Sequence, residues 1–263
     1  MNHQSVFRDT HKSAAKSKRR KGKLHMGYHW VHHAPIEGLV LFKYNPSRSK
    51  KVPEARLQEY NRTIQTDGYS GYLNLTTKGS IQLLACMAHA RRYFEKALDN
   101  DASRASYALE QIQKLYAIER KSRERNVKPE TRLRYRKLYA VPILTTLEVW
   151  LQQQTLQVLP KSGIGKAISY TLKLCAKLVA YTSDGRYEID NNRIENTIRP
   201  LALGRKNYLF AGSHNAAQKA AMLYSFFATC KINNIDPYTW LKDVLDRIQE
   251  HKANKLVELL PNN

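Results

Sequence analysis

Hydrophobic residues recur at helical spacing through most of the stretch from 103 to 182. Leu109, Ile112 and Leu115 begin one apolar stripe with the 3.6-residue period of an amphipathic helix. Pro129 is placed to begin another helix, and Pro160–Gly163 reads as a break. The sequence therefore predicts an all-helical block, which requires a fold with a helical layer or insertion.

The residues on either side of this block have the pattern of a mixed α/β unit. Aromatic and β-branched residues at 24–43 surround a turn signal at 35–38, which predicts an antiparallel hairpin. A short helix at 53–62, a strand at 63–66 and an apolar run at 81–87 leading into a helix follow. Three more helices are predicted, at 191–199, 215–232 and 237–250. We predict four segments: a flexible basic arm (1–23), the first part of an α/β core (24–102), a helical insertion (103–182) and the second part of the core with C-terminal helices (183–263).

Basic residues dominate the charge of the chain. Lys and Arg number 44 against 22 acids, which gives a formal charge of +22 and a pI near 9.9. This balance favours a polyanionic partner, nucleic acid first and an anionic membrane surface second. The early residues are polar and no apolar run has transmembrane length, so we predict a soluble intracellular protein. Residues 12–23 hold seven basic residues and no acid, which is typical of a phosphate-binding arm or of a frayed terminus.

The three cysteines give little indication of a metal or disulfide site. Cys86, Cys175 and Cys230 are far apart, which argues against a disulfide framework or a closed zinc site. Cys86 and His89 have the spacing of half a zinc site, but no second pair follows at a useful distance. A buried thiol is the favoured interpretation.

Acids and bases alternate through residues 188–208. The acids are Glu188, Asp190 and Glu195, and the bases are Arg193, Arg199, Arg205 and Lys206. Carboxylates beside a basic track suit a divalent metal held against nucleic-acid phosphates, and the bases are candidate DNA contacts. A solvated helix face with charges of both signs has the same pattern.

Asp67 ends a predicted strand, and Gly68 lets the backbone turn there. A carboxylate at a strand end is a usual site residue in an α/β layer, and a plain Asp-Gly turn is the alternative. Glu195 lies near a helix start, where it would also complement the helix dipole. Arg91 and Arg92 either contact DNA or form an exposed helix face.

Several longer motifs occur in a fixed order. They are TDGYSGY (66–72), CMAHARRYF (86–94), KLYAIE (114–119), LPKSGIGKAISY (159–170) and EIDNNRIENTIRPLALGRKNYLFAGS (188–213). This series closely resembles the DDE-type transposases of the insertion sequence 66 family, from bacterial mobile elements. The resemblance covers roughly residues 20–250.

The resemblance implies an RNase H-like core interrupted by the helical insertion. It implies that Asp67 matches the second catalytic aspartate and Glu195 the catalytic glutamate, both as ligands of Mg²⁺ or Mn²⁺. The implied activity is metal-dependent DNA cleavage and strand transfer, in which one ion activates water or a DNA 3′-hydroxyl and another stabilises the leaving oxygen. The implied partners are element ends, target DNA, a second copy of the chain and element-encoded accessory proteins. The implied location is the bacterial cytoplasm, at the nucleoid.

The first catalytic aspartate departs from the family pattern. Asp9 is the only acid upstream of the hairpin and is the candidate, but the residues after it, HKSAAKSKRR, have no strand pattern. Lys43 stands where the family commonly has an acid, and the family's long N-terminal DNA-binding and zinc-binding region has no counterpart. A truncated, inactive remnant that only binds DNA is therefore the main alternative, and an RNase H-like nuclease without a role in transposition is the third.

Overall fold

The computed structural model describes residues 4–16, 24–76 and 81–261. One five-stranded sheet has the order β3-β2-β1-β4-β5. Its strands are β1 (Gln4–Lys16), β2 (Leu24–Ala34), β3 (Leu39–Asn45), β4 (Thr63–Gln65) and β5 (Gln82–Leu84). The α-helices within the described ranges are α1 (Lys51–Arg56), α2 (Met87–Glu95), α3 (Ala102–Glu124), α4 (Pro129–Tyr135), α5 (Val141–Thr155), α6 (Gly163–Lys173), α7 (Cys175–Val179), α8 (Asn192–Tyr208), α9 (His214–Ile232) and α10 (Pro237–Arg247). A π-helical stretch spans Arg136–Ala140, and 3₁₀ helices span Ser70–Thr76, Ala180–Ser183 and Ala253–Leu259.

The predicted hairpin is confirmed. β2 and β3 pair antiparallel from Tyr28 opposite Asn45 to Ala34 opposite Leu39. Alternate residues of β3 are buried, as the period of a half-covered strand requires. The strand predicted at 63–66 is confirmed as β4, and the helix predicted after the apolar run at 81–87 is confirmed as α2. The apolar run itself contains the short strand β5. The described residues contain no helix that is both long and apolar enough to span a membrane.

The prediction of a flexible arm was wrong for residues 4–16. They form β1, which pairs antiparallel with β2 from Val6 opposite His33 to Lys16 opposite Leu24. Lysine and alanine give this segment little intrinsic strand preference, but β2 is aromatic and β-branched and offers a full row of backbone partners. Pairing with β2 thus overrides the local preference. The rest of the predicted arm, residues 17–23, lies outside the described residues.

Two helix boundaries also differ from the prediction. α8 does not stop at Arg199 but continues through Pro200 to Tyr208. Proline removes one backbone hydrogen bond inside a helix, and packing of the apolar face, with Ile194, Ile198 and Leu201 buried, offsets that loss. α1 begins before Pro53 and ends at Arg56, so it is shorter than the predicted helix at 53–62.

The described residues divide into two compact units. The first unit comprises residues 1–64, 69–82 and 192–263, and the second comprises 65–68 and 83–191. The second unit is larger than the predicted insertion because α2 packs with α3 and α6 in one apolar core that includes Met87, Phe94, Ile112 and Ile168. The segment boundaries predicted from the sequence remain predictions.

In the first unit, α8 and α9 cover one face of the β2-β3 hairpin. Val31 and Phe42 pack with Ile198 and with the small side chains of α9. Ser225 and Thr229 of α9 also accept hydrogen bonds from the backbone of β3, from Phe42 N at 2.8 Å and from Val40 N at 3.1 Å. Since β3 is an outer strand, these two hydroxyls satisfy donors that an exposed sheet edge would leave open.

His33 of β2 makes the stability of the first unit sensitive to acid. Burial lowers the pKa of His33, and the positive charge of nearby Arg193 adds a smaller effect in the same direction. Together they bring the pKa to about 4. The side chain is only 4% exposed. The unfolded chain therefore binds this proton near pH 6.5 and the folded chain only near pH 4, so the free energy of unfolding falls as the pH drops through this window.

We expect the His33 contribution to reduce the free energy of unfolding by about 2 kcal/mol on going from about pH 7 to about pH 5. Urea denaturation at both pH values measures it. His33→Gln should make the dependence on pH shallower, and His25→Gln, at an exposed position of the same strand, should not. An equal slope in wild type and His33→Gln would contradict the prediction.

Candidate functional site

Asp67 lies in the second unit, two residues after β4, and is half-buried. Gly68 has φ of +86°, and a Cβ there would lie 3.0 Å from the hydroxyl of Tyr170. Glycine is therefore required both by the backbone conformation and by the close approach of Tyr170. Burial raises the pKa of Tyr170 to about 12, with Cys86, Tyr93 and Asp67 adding to the shift, so the phenol keeps its proton near neutral pH. The turn thus brings Gly68 against the protonated hydroxyl of Tyr170, and the charge of Asp67 contributes to the raised pKa of that hydroxyl.

Glu195 lies in the first turn of α8, in the first unit, and is also half-buried. α8 packs against β1 and β2 of the same unit. Asp9 occupies the middle of β1, opposite Trp30 of β2. The helix that carries Glu195 thus packs against the strand that carries Asp9. The side chain of Asp9 lies outside what the structure describes.

The three predicted catalytic acids are therefore distributed over the two units. Asp9 and Glu195 belong to the first unit and Asp67 to the second. Among the side chains that the structure describes, no three His, Cys, Asp or Glu residues form a group that could hold a metal ion. That set does not include Asp9, and a three-carboxylate site remains a prediction.

The predicted DNA-binding cations on α8 are largely open to solvent. Arg193, Arg199 and Lys206 are exposed, and Arg205 is half-buried. Within the described ranges, Arg199 and Lys206 form no ion pair, so their charges are available to an anion. On α2, Arg91 and Arg92 are exposed, and Arg91 pairs with Glu95 at 3.1 Å. The pair leaves Arg91 less available to an anion than the cations of α8.

The two reserve metal ligands, Glu188 and Asp190, are engaged in the second unit. Glu188 pairs with Arg132 at 3.2 Å and with Arg123 at 3.5 Å. The hydroxyl of Tyr116 donates to Asp190 Oδ2 at 2.8 Å. These contacts bind the segment before α8 to helices of the second unit.

A buried ion pair that sequence reasoning missed lies beside them. Arg136 and Glu119 are both fully buried, with Arg136 Nε donating to Glu119 Oε1 at 2.8 Å. Burial alone would raise the pKa of Glu119, but the hydrogen bonds and charges of Arg136 and Arg132 outweigh it and lower the pKa. Arg136 also donates to the carbonyl oxygens of residues 181, 184 and 187. The sequence signal was Glu119 itself, an acid in the apolar stripe of α3.

Cys86 is a free, buried cysteine. It is the N-cap residue of α2, and its sulfur accepts a hydrogen bond from the backbone N–H of Asn191 at 3.4 Å. Burial raises the pKa of Cys86 to about 12, so the thiol is protonated near neutral pH. The free, buried state of Cys86 agrees with the buried thiol expected from the sequence.

Comparison with known proteins identifies the family. The sequence profile described as transposase IS66 family matches residues 9–219, and the one described as IS66 C-terminal element matches residues 225–262. The chain belongs to the IS66 transposase family. The first match begins at Asp9 and includes Asp67 and Glu195.

The chain is similar to three bacterial proteins whose names describe them as uncharacterized. The protein y4jD of Sinorhizobium fredii is 33% identical over 87% of this chain and 46% of its own length, and y4hP of the same organism is 32% identical over 84% and 43%. The protein YuaK of Escherichia coli is 31% identical over 38% of this chain and 90% of its own length. The chain thus spans less than half of the Sinorhizobium relatives. No solved structure matches it.

Proposed function

We propose that this IS66-family chain carries the catalytic part of a transposase that cuts DNA phosphodiester bonds and transfers the cut strand. The observation that carries the proposal is the packing of α8, with Glu195, against β1, with Asp9. It removes the objection that Asp9 lies in a segment without strand structure. In this proposal Asp9, Asp67 and Glu195 are the catalytic carboxylates.

The strand order supports an RNase H-like core as part of the same proposal. β1 is the central strand, with the β2-β3 hairpin on one side and the short strands β4 and β5 on the other. Asp9 lies on this central strand, and Asp67 follows the short strand β4 by two residues. α8, which packs on β1, supplies the third acid.

The donor chemistry of these residues fits Mg²⁺ or Mn²⁺. Asp67 and Glu195 offer half-buried carboxylate oxygens, which hard divalent cations prefer, whereas Cys86 is a neutral buried thiol. When bound, such ions supply activation of the attacking hydroxyl and stabilisation of the leaving oxygen. Asp9, Asp67 and Glu195 would hold them.

The remaining residues of the site bind and orient the DNA. Arg193, Arg199 and Lys206 lie on the same helix as Glu195 and would neutralise phosphates on either side of the scissile bond. Because a helix is rigid, these cations fix the register of the DNA relative to Glu195. The phosphorus–oxygen bond to the 3′ oxygen breaks, the attacking oxygen bonds to phosphorus, and the released 3′-hydroxyl becomes the nucleophile for the joining step.

The experiment is conversion of supercoiled plasmid to nicked circles by the purified chain. We expect nicking with Mg²⁺ or Mn²⁺ and none with EDTA, because the carboxylates by themselves supply no Lewis acid. A labelled oligonucleotide with a free 3′-hydroxyl should become joined to plasmid in the same reaction. Salt-sensitive binding without nicking under any metal condition would instead establish a DNA-binding protein without cleavage activity.

A further inference from the structure

Most of the basic residues between 119 and 137 have no role in the proposed catalytic site. The segment holds nine basic residues against three acids. Arg132 and Arg136 are held by Glu119 in the buried network of the second unit. The others are distributed over the surface of α3, α4 and the π-helical stretch, and a subset of them lines a groove.

We propose that this groove binds an unpaired stretch of DNA. The α3 groove, as we call it, has a volume of about 510 Å³ and lies between α3 and the helical stretch 135–143. Its polar lining consists of Lys114, Lys121, Arg125, Tyr135 and Tyr139, and Ile118 adds apolar surface. The volume falls within the range of about 300–1,000 Å³ that small ligands occupy in proteins. No Asp or Glu lines the groove.

Helix geometry explains why the cations share one side. One face of α3 carries Lys114, Ile118 and Lys121, spaced by four and three residues, and Arg125, the C-cap residue of α3, follows four residues later. Lys114 is partly neutralised by Glu110 at 2.9 Å. In the part of the chain that the structure describes, Lys121 and Arg125 form no ion pair. Two adjacent uncompensated cations in a groove without acids favour a polyanion.

Two tyrosines in the groove favour single-stranded over duplex DNA as the polyanion. Tyr135 and Tyr139 pack edge to face with ring centroids 6.2 Å apart, and Tyr139 remains 54% exposed. Pro142 has no N–H for the carbonyl of Leu138, and the chain forms a wider π-helical turn just before it. An exposed tyrosine beside cations is the combination with which proteins stack unpaired bases and hold their phosphates. A paired base within a duplex offers no free face for stacking, so we infer single-stranded DNA.

The proposal shares with the proposed function only the DNA partner, and it concerns binding in a different part of the chain. It is tested by fluorescence anisotropy with a short labelled oligothymidine strand and a duplex of the same length, in EDTA over a series of salt concentrations. The full chain carries Glu195→Gln so that cleavage plays no part. We expect the single strand to bind more tightly than the duplex in the protein with an intact groove.

The double variant Lys121→Gln/Arg125→Gln should weaken binding of the single strand by about ten-fold at low salt. The negative slope of log K against log salt should become shallower by about 1.4, because two phosphate contacts are lost. The matched control is Arg120→Gln/Lys137→Gln, which removes two exposed charges from the same helices but outside the lining. An equal loss in the control would overturn the proposal, because net charge alone would then explain the binding.

Tyr139→Leu tests the stacking directly. We expect it to weaken binding of the single strand by about five-fold or more and to leave duplex binding unchanged. Tyr238→Leu, at a 76% exposed position of α10, is the control and should match the parent protein. Unchanged single-strand binding in Tyr139→Leu would overturn the proposal. A chain that never nicks plasmid but shows these groove effects would refute only the cleavage proposal.

Discussion

Replacing Asp67 with Asn should lower the rate of Mg²⁺-dependent plasmid nicking by at least about a thousand-fold, because a metal ion held by carboxylates supplies several kcal/mol of transition-state stabilisation. The amide keeps the shape of the side chain but loses its charge and one oxygen ligand. Glu195→Gln and Asp9→Asn should have effects of the same order. The measurement is the initial rate of supercoiled plasmid loss, with DNA binding measured in EDTA.

Matched controls separate ligand loss from general charge effects. Asp99→Asn removes an exposed carboxylate from the second unit, and Glu59→Gln removes one from the first. Both should nick at the rate of the wild type, and all variants should bind DNA equally, since cations carry that affinity. Wild-type nicking by Asp67→Asn or Glu195→Gln would refute the proposed site. Wild-type nicking by Asp9→Asn alone would remove Asp9 from it.

Replacing Arg136 with Met should destabilise the chain by about 3–5 kcal/mol, because it leaves the Glu119 carboxylate in the core with only Arg132 as a charged partner. It also removes the donor to three carbonyl oxygens of residues 181–187. Arg136→Lys should recover little, because an ammonium group lacks the planar fork that serves all these acceptors. Urea denaturation followed by circular dichroism measures the loss.

The neighbouring substitution Lys137→Met is the control and should change the free energy of unfolding by less than about 0.5 kcal/mol, since Lys137 is exposed. The double variant Glu119→Gln/Arg136→Met should lose less stability than the two single variants together, because it no longer buries an unbalanced charge. Strict additivity would show that Glu119 and Arg136 contribute independently, against the prediction.

The elements predicted correctly from the sequence are those whose local signals agree with their packing. Asp236 and Pro237 predicted the start of α10, and Asp236 accepts the backbone N–H of Thr239 at 2.8 Å. The small and apolar residues of α9 have a helical period, and the helix buries them against β3. In both helices the local sequence favours a helix, and the contacts with the rest of the chain stabilise the same helix.

The elements that were missed depend on contacts distant in sequence. β1 has weak strand preference and becomes a strand through its pairing with β2. α8 passes Pro200 because burial of its apolar face outweighs one lost hydrogen bond. Neither effect can be predicted from the residues of the segment alone, because both depend on which surface the rest of the chain presents.

The sequence indicated which residues are candidates for the site, but it did not indicate which side chains surround them. A carboxylate before a glycine predicted Asp67 at a strand end, and the structure places it two residues after β4. The roles of Glu188 and Asp190 were not predictable, since their partners Arg132 and Tyr116 lie more than fifty residues earlier. Pairings over such sequence distances are set by the packing of the helices.

The hydroxyls of Ser225 and Thr229 cover backbone N–H groups at the outer edge of β3. The family's C-terminal element begins at Ser225, so the residues that occupy the donors of β3 belong to that element. A chain ending before α9 would leave Val40 and Phe42 with open N–H groups beside an apolar strand face. Unclosed edges of this kind recruit strands from other molecules and produce insoluble assemblies. The element thus occupies backbone donors at this edge of the sheet that another strand could otherwise pair with, independently of whether the chain cuts DNA.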